Sequence, residues 1–157
     1  MYDVVIVGAG PAGLFSAYEL IVNNPKLKVL LLDQGRFAKK RVCPMNQKHI
    51  PCINCKPCNI MSGYGGAGTF SDGKLNFVPK LGKSDLFKYM NEDEANKLID
   101  YTESIFNKFG MDSEVYPSNI EEALEIKKKV ALTGARLMLI QRDLHLKAGC
   151  FLEWTKS

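Results

Sequence analysis

The chain has 157 residues, with 21 Lys and Arg against 17 Asp and Glu, for a formal net charge of +4 at pH 7. This length suffices for one ordinary domain, and a hydrophobic content of 46% excludes a disordered composition. The basic residues are dispersed apart from two short runs without interleaved aromatics, which argues against nucleic-acid binding. The sequence has no apolar stretch of membrane-spanning length and no signal-peptide pattern, so we expect a cytoplasmic protein without a membrane partner.

The N-terminal residues predict a strand, a turn and a helix. A β-branched apolar run, VVIV, is typical of a parallel strand buried on both faces. Gly8, Gly10 and Gly13 follow at G-x-G-x-x-G spacing, and an apolar-rich helix then runs over 14–22 until Asn-Asn-Pro stops it. A second buried strand, KVLLL over 28–32, completes a β-α-β unit.

The residues of this unit suit a dinucleotide. Gly8 allows the tight turn, Gly10 lets a pyrophosphate approach the backbone, and Gly13 lets the helix pack closely on the strand. The helix N-terminus offers free N–H groups and partial positive charge to phosphates. Asp33, at the end of the second strand, is placed to accept hydrogen bonds from the adenosine ribose. A glycine-rich turn in an unrelated α/β protein would explain the glycines but not the whole set.

The motif GAGPAG resembles the FAD-binding signature of two-dinucleotide-binding-domain flavoproteins more than that of NAD dehydrogenases. Pro11 and Ala12 carry this preference. The resemblance implies an α/β fold with an FAD/NAD(P)-binding, Rossmann-like parallel sheet.

The segment 34–75 has three prolines, many polar residues and little periodicity, and we interpret it as a long ordered loop. Gln34 directly follows the acidic residue and is counted among the candidate cofactor contacts. Arg36 and Arg41 could reach the adenine side or the pyrophosphate of a cofactor. An equally good interpretation makes them solvated loop cations.

Four cysteines lie in this loop, at Cys43, Cys52, Cys55 and Cys58. The last three form C-x-x-C-x-x-C, a spacing that suits three thiolates on one metal, and Cys43 could be the fourth ligand. One interpretation is therefore an iron–sulfur or zinc site. A redox-active thiol pair, or packed thiols lining a cofactor pocket, are the alternatives. His49 is a further candidate ligand, although a lone loop histidine is more often a surface group.

A second glycine-rich segment, SGYGGAGTFSDGK, covers 62–74. Such a run lets backbone approach a flat ligand and direct N–H groups at it. A flexible linker is the alternative, but Tyr64 and Phe70 argue against it, since linkers rarely place aromatics between glycines. Tyr64, Ser71 and Asp72 are acid–base candidates by position only, so the catalytic residues are unknown.

Together with the preceding cysteines, this segment is similar to the signature of the bacterial and archaeal FAD-dependent, or NAD(FAD)-utilizing, dehydrogenases, and the likeness runs from Tyr2 to about Ile140. It implies an FAD-dependent oxidoreductase of undefined substrate, with NAD(P)H as a candidate electron donor and residues 65–68 near the isoalloxazine ring. The implied FAD contacts are Gly8, Gly10, Pro11, Ala12, Gly13, Asp33, Gly66, Ala67, Gly68, Thr69 and Ser71.

Two further helices are predicted downstream. Residues 84–110 carry apolar residues at helical spacing, with an acidic first turn after Asn91 and Gly110 at the end. A second helix follows, with Ser118 as its cap, and ends at Gly134. Residues 135–140 could form one more strand.

The chain departs from the family beyond about residue 140. We expect 1–141 to be the N-terminal portion of the FAD/NAD(P)-binding domain and 142–157 to be an atypical tail that reflects truncation or a frameshift. The parallel sheet is then incomplete, and FAD is expected to bind weakly or not at all. The alternatives are a non-catalytic remnant, which a separate downstream chain could complete, and an electron-transfer module built on the cysteines.

Overall fold

The computed structural model describes residues 1–111, 114–135 and 143–145, the last three as backbone alone. The described residues fall into two compact units that meet in sequence between Ser71 and Asp72. Each unit mixes helices with short strands, so the chain belongs to the α/β or α+β classes rather than to an all-α or all-β class.

Within the described residues, no helix combines the length and apolar character needed to cross a bilayer.

The first unit begins with the predicted β-α-β arrangement. Strand β1 covers Val4–Val7, helix α1 covers Pro11–Asn23, and strand β2 covers Val29–Leu32. The two strands pair in parallel, in the register Val4↔Val29 to Val7↔Leu32. Both predicted strands and the helix between them are thus confirmed. A two-stranded parallel sheet is compatible with a Rossmann-like fold.

The prediction that both strands are buried on both faces is wrong for this structure. Val5 is 54% exposed and Val7 is 83% exposed, whereas Ile6, on the other face, lies 3.5 Å from the position of a Cβ built on Gly13 of α1. Side chains alternate between the two faces of a strand, so α1 covers only one of them. In the described part of the chain, the opposite face is left largely open.

The remainder of the first unit is irregular, as predicted, but it contains short helical pieces. Single 3-10 turns occur at Ala38–Lys40 and Ala67–Phe70, and a short helix α2 covers Pro44–Lys48. Proline at the first position of α2 suits a helix start, because that N–H would have no intrahelical acceptor. The segment is therefore an ordered loop, as the sequence pattern indicates.

The second unit combines a small antiparallel sheet, a hairpin and two helices. Its elements are β3 (Lys74–Asn76), β4 (Lys80–Leu81), β5 (Ser84–Asp85), α3 (Glu92–Lys108), β6 (Val115–Tyr116), α4 (Ile120–Leu132) and β7 (Asp143–His145). Strand β7 pairs antiparallel with both β3 and β6, and β4 pairs with β5. Phe77 and Met111 form its buried core, where Phe77 meets Phe106 edge to face at 5.8 Å.

The helix boundaries follow the capping signals closely. Asn91 caps α3, its side chain accepting from the Glu94 amide while the Glu94 side chain accepts from the Asn91 amide, and Gly110 follows the helix at φ 92°. The predicted acidic first turn after Asn91 is confirmed, while residues 84–85 at the start of the predicted region pair in the hairpin instead. The predicted cap of α4 is wrong by one residue, since Asn119 rather than Ser118 accepts from the Glu122 amide.

The predicted strand over 135–140 and the tail over 142–157 lie outside the described residues, apart from Ala135 and the backbone of β7.

Candidate functional site

The N-terminus of α1 is the centre of the candidate site. Gly10 is its N-cap and Pro11 its first residue, with no side-chain hydrogen bond to the cap and no acidic residue in the first turn. The first amides of a helix have no intrahelical acceptor, and the helix dipole places partial positive charge there. With no carboxylate or hydroxyl of its own cap in place, this end of α1 is suited to an anionic ligand.

The three positions of the motif differ in why glycine occupies them. Gly8 adopts φ +104°, which side chains rarely tolerate. A Cβ on Gly13 would lie 1.8 Å from the carbonyl oxygen of Gly8, so α1 can approach β1 only with glycine there. A Cβ on Gly10 would meet nothing within 4 Å, and its φ of −74° is open to any residue. The fold therefore explains Gly8 and Gly13, while Gly10 faces open space that a ligand could use.

Asp33, predicted as the ribose acceptor, holds the turn together. Its Oδ2 accepts from the Ala9 amide at 2.8 Å, and its Oδ1 accepts from the Gly35 amide at 2.7 Å. The carboxylate thereby ties the end of β2 to the turn after β1. An ionised carboxylate offers about four lone-pair positions, so contact with a ribose stays a prediction that this geometry allows.

The electrostatic environment of Asp33 favours its ionised form. Partial burial alone would raise the pKa of this carboxyl. Hydrogen bonds from the amides of Ala9, Gly35 and Gly63, together with the charge of Arg41, outweigh that effect and lower the pKa below its ordinary value. The group is therefore an anion at neutral pH.

The second glycine-rich segment lies directly against the first. The Gly65 amide donates to the Ala9 carbonyl at 2.8 Å. Gly66, at φ +63°, approaches the start of α1 so closely that a Cβ on it would lie 3.3 Å from Pro11 Cδ and 3.4 Å from Gly10 Cα. Residues 8–13 and 63–66, separated by fifty positions in sequence, thus form adjoining walls of one surface.

Further contacts fasten this second segment to the end of β2. The Gln34 side chain donates to the Ser62 hydroxyl at 3.2 Å, and the Tyr64 hydroxyl donates to the Leu31 carbonyl at 3.0 Å. The Tyr64 ring also stacks on Phe37, with centroids 4.2 Å apart. Gln34, a candidate cofactor contact, therefore has a role within the loop itself.

Arg41 is 2% exposed, so the interpretation of it as a solvated cation is wrong. Its guanidinium lies 4.7 Å from the centre of the Phe70 ring and donates five hydrogen bonds, all within the protein. Four backbone carbonyls and one hydroxyl accept them, those of Asn59, Ile60, Tyr64, Gly66 and Thr69. Burial lowers the pKa of Arg41, while the charges of Asp33 and Cys58 oppose that shift.

The remaining candidate contacts lie at the end of the segment. The Thr69 hydroxyl donates to the Gly66 carbonyl at 3.0 Å, and the Ser71 hydroxyl donates to the Gly68 carbonyl at 2.9 Å. Ala67 and Gly68 are exposed in the intervening 3-10 turn. Both hydroxyls stabilise the turn, and their contact with a cofactor stays a prediction.

The four cysteines do not form the predicted metal centre in this structure. Cys43, Cys52, Cys55 and Cys58 are all free thiols. Across the described residues, no three His, Cys, Asp or Glu side chains are arranged to hold a metal ion. Local contacts hold the thiols instead, as at Cys52, whose sulfur accepts from the Asn54 amide at 3.4 Å.

Cys58 differs from a simple packed thiol in its electrostatics. The amides of Met61 and Ile60 donate toward its sulfur and lower the pKa of the thiol, and the Arg41 charge acts in the same direction. Its carbonyl accepts from the Ser62 amide at 2.9 Å, which closes one turn of chain over 58–62.

Comparison with known proteins gives three partial matches. The chain is 48% identical over 42 residues to an uncharacterized protein of Methanosarcina barkeri, and 44% identical over 41 residues to LodB of Marinomonas mediterranea, named as an FAD-dependent oxidoreductase. It is 29% identical over 130 residues, or 79% of the chain, to the mitochondrial L-2-hydroxyglutarate dehydrogenase of Dictyostelium discoideum. These matches cover 10%, 11% and 26% of the relatives, so the chain spans about a quarter of their length at most.

No family model matches the chain, and no solved structure matches it significantly. The Marinomonas relative is named as an FAD-dependent oxidoreductase and the Dictyostelium relative as a dehydrogenase, so both are named as oxidoreductases.

The sequence predicted the strand, turn and helix around the glycines, but it did not indicate how the loop over 34–71 is held. The structural role of Arg41 had no local signal, because its acceptors lie 18 to 28 positions further along the chain. The hydrogen bond from the Gly65 amide to the Ala9 carbonyl likewise joins two segments whose sequence patterns give no indication that they meet.

Proposed function

We propose that the chain is the nucleotide-binding portion of an FAD-dependent oxidoreductase, and that the ADP half of FAD binds where residues 8–13 and 63–66 adjoin. FAD, when bound, supplies the two-electron chemistry of such enzymes. The chain itself supplies amides, open space and orientation. The substrate is undefined.

The observation that carries this proposal is the open space at Gly10. A glycine that meets nothing within 4 Å, in an ordinary backbone conformation, has no reason in the packing of this chain. It stands at the uncapped start of α1, beside the close approach of Gly66 to Pro11. A pyrophosphate is the ligand that uses both features, since its charge suits the helix start and its bulk needs the missing side chain.

We also propose that further polypeptide completes the sheet in the active flavoprotein. The exposed Val5 and Val7 form one apolar face with their parallel neighbours Leu30 and Leu32. Each of the two strands also has an outer edge that pairs with no further strand among the described residues. A separate downstream chain is the partner we expect.

The Gly10→Val substitution tests the nucleotide site. The added side chain would occupy the open space, so we expect the dissociation constants for FAD and ADP to rise at least about tenfold. The free energy of unfolding should fall by about 1 kcal/mol at most, because valine is a poorer N-cap than glycine. Titration calorimetry and urea unfolding measure the two effects.

Gly82→Val is the matched control. Gly82 also faces open space, but it lies in the turn between β4 and β5 and at φ +58°. Strain should lower the stability of this variant and leave its nucleotide affinity unchanged. The proposal is wrong if Gly10→Val binds ADP as the unsubstituted chain does, or if the unsubstituted chain does not bind ADP.

A further inference from the structure

We propose that Arg41 is a positioning residue, which holds the second glycine-rich segment on the first so that the two form one nucleotide-binding surface, without touching the nucleotide itself. This inference rests on the proposed function and goes beyond it, because the position of Arg41 in the loop had suggested a direct contact with the adenine side or the pyrophosphate. Three observations support the inference: the hydrogen bonds of the guanidinium, the burial of Arg41, and the packing of the second glycine-rich segment around it.

The hydrogen-bonding capacity of Arg41 is fully used within the protein. A guanidinium has five N–H donors and no acceptor. Nε donates to the Asn59 carbonyl at 2.8 Å, Nη1 donates to Tyr64 and Thr69, and Nη2 donates to Ile60 and Gly66. A hydrogen bond from Arg41 to a phosphate would therefore require one of these partners to be released.

The acceptors show what the side chain organises. Two of them, the carbonyls of Tyr64 and Gly66, flank Gly65, whose amide donates to Ala9 in the first glycine-rich turn. Gly66 is also the residue that approaches Gly10 and Pro11. Arg41 thus holds the backbone on both sides of the point where the segments meet.

The packing around Arg41 leaves little freedom for another arrangement. A Cβ on Gly63 would lie 2.9 Å from Arg41 Cδ and 2.3 Å from the Arg36 carbonyl oxygen. The guanidinium also lies over the Phe70 ring, 4.7 Å from its centre. Because a buried charge is costly unless it is fully hydrogen-bonded, losing this arrangement would release the segment rather than shift it slightly.

The test compares Arg41→Lys and Arg41→Met with Lys40→Met in the full chain. Lys40 is exposed and precedes Arg41 in sequence. Lys40→Met therefore removes one positive charge, as Arg41→Met does. Amide hydrogen exchange over 62–66 reports whether the segment stays closed, and titration calorimetry gives the affinities for FAD and ADP. Lysine keeps the charge but has a single nitrogen, which cannot reach five separated acceptors.

Both Arg41 variants should raise the amide exchange rates over 62–66 by at least about tenfold. They should also raise the dissociation constants for FAD and ADP by at least about tenfold. Lys40→Met should change neither quantity. If Arg41→Lys binds both ligands as the unsubstituted chain does, charge alone suffices and the proposal is wrong. It is also wrong if the Arg41 variants lose affinity while exchange over 62–66 is unchanged, since that pattern marks a direct ligand.

A spectroscopic measurement on the unsubstituted chain keeps the test independent of variant folding. The Arg41 Nε–H signal should exchange slowly with solvent and keep its chemical shift when ADP is added, while the amides of Ala12 and Gly13 shift. A large shift at Arg41 Nε on ADP binding would overturn the proposal. If ADP and FAD bind nowhere, the proposed function fails, and the exchange comparison still decides whether Arg41 holds the segment.

Discussion

The carboxyl-terminal end of the β1–β2 sheet and its face away from α1 differ in how well their groups are paired within the described residues. At the carboxyl ends of β1 and β2, charged and polar groups are closely paired, with Asp33 accepting from two amides and Arg41 donating to five acceptors. On the face away from α1, Val7 is 83% exposed. One region is organised by contacts within the first unit, and the other lacks such contacts among the described residues.

The difference indicates which part of the proposed nucleotide site is shaped by contacts within the chain. The turn after β1, the end of β2 and the loop over 34–71 supply their own partners, so the surface around Gly10 is shaped before any ligand binds. The open apolar face is where we propose that additional polypeptide packs, because an exposed apolar sheet face favours association. We therefore expect substitutions in the two regions to change the free energy of unfolding by different amounts.

The largest effect should come from Gly13→Ala. The added Cβ would lie 1.8 Å from the Gly8 carbonyl oxygen, which is backbone and cannot move aside. We expect the free energy of unfolding to fall by about 3 kcal/mol or more, measured by urea unfolding. Gly10→Ala is the control, since its Cβ meets nothing within 4 Å. Equal stability of the two variants would show that α1 does not pack on β1 in this way.

Asp33→Asn should have the next largest effect. The amide side chain keeps one acceptor, so the N–H of Ala9 or Gly35 loses its partner, at a cost of about 1–3 kcal/mol. The control is Asp72→Asn, which removes an exposed carboxylate that lies 3.7 Å from Lys74, and which should cost about 1 kcal/mol at most.

The same carboxylate predicts a pH dependence. Because the folded pKa of Asp33 is below the ordinary value of 3.8, its stabilisation is present above that value and is lost as pH falls through the folded pKa. Unfolding free energies measured from pH 6 down to pH 2 should therefore decline more steeply for the unsubstituted chain than for Asp33→Asn. Parallel profiles would mean that Asp33 is not paired as described.

The smallest effect should come from Val7→Thr on the open face. A substitution at an exposed position should change the free energy of unfolding by less than about 0.5 kcal/mol. Ile6→Thr, on the face toward α1, should cost about 1–3 kcal/mol, because it places a hydroxyl against the helix. Similar losses at Val7 and Ile6 would show that the open face is covered in solution.

The features that could be predicted from the sequence depend on interactions between neighbouring residues. The β-branched run, the G-x-G-x-x-G spacing and the capping residue Asn91 act over a few neighbouring positions, and the strands, helices and caps that they predict are present with shifts of one to several residues. The described residues show no arrangement of the cysteines that could hold a metal ion, and C-x-x-C-x-x-C spacing specifies separations along the chain and not the convergence of the thiols.

The sequence by itself determined the β-α-β unit and the position of its glycine-rich turn, because glycine conformation and strand periodicity are properties of adjacent residues. Only the tertiary structure decided that Arg41 is buried and that Gly65 and Gly66 meet the turn after β1. It also decided that Val5 and Val7 remain exposed, since burial depends on what packs against a strand and not on the strand's own pattern.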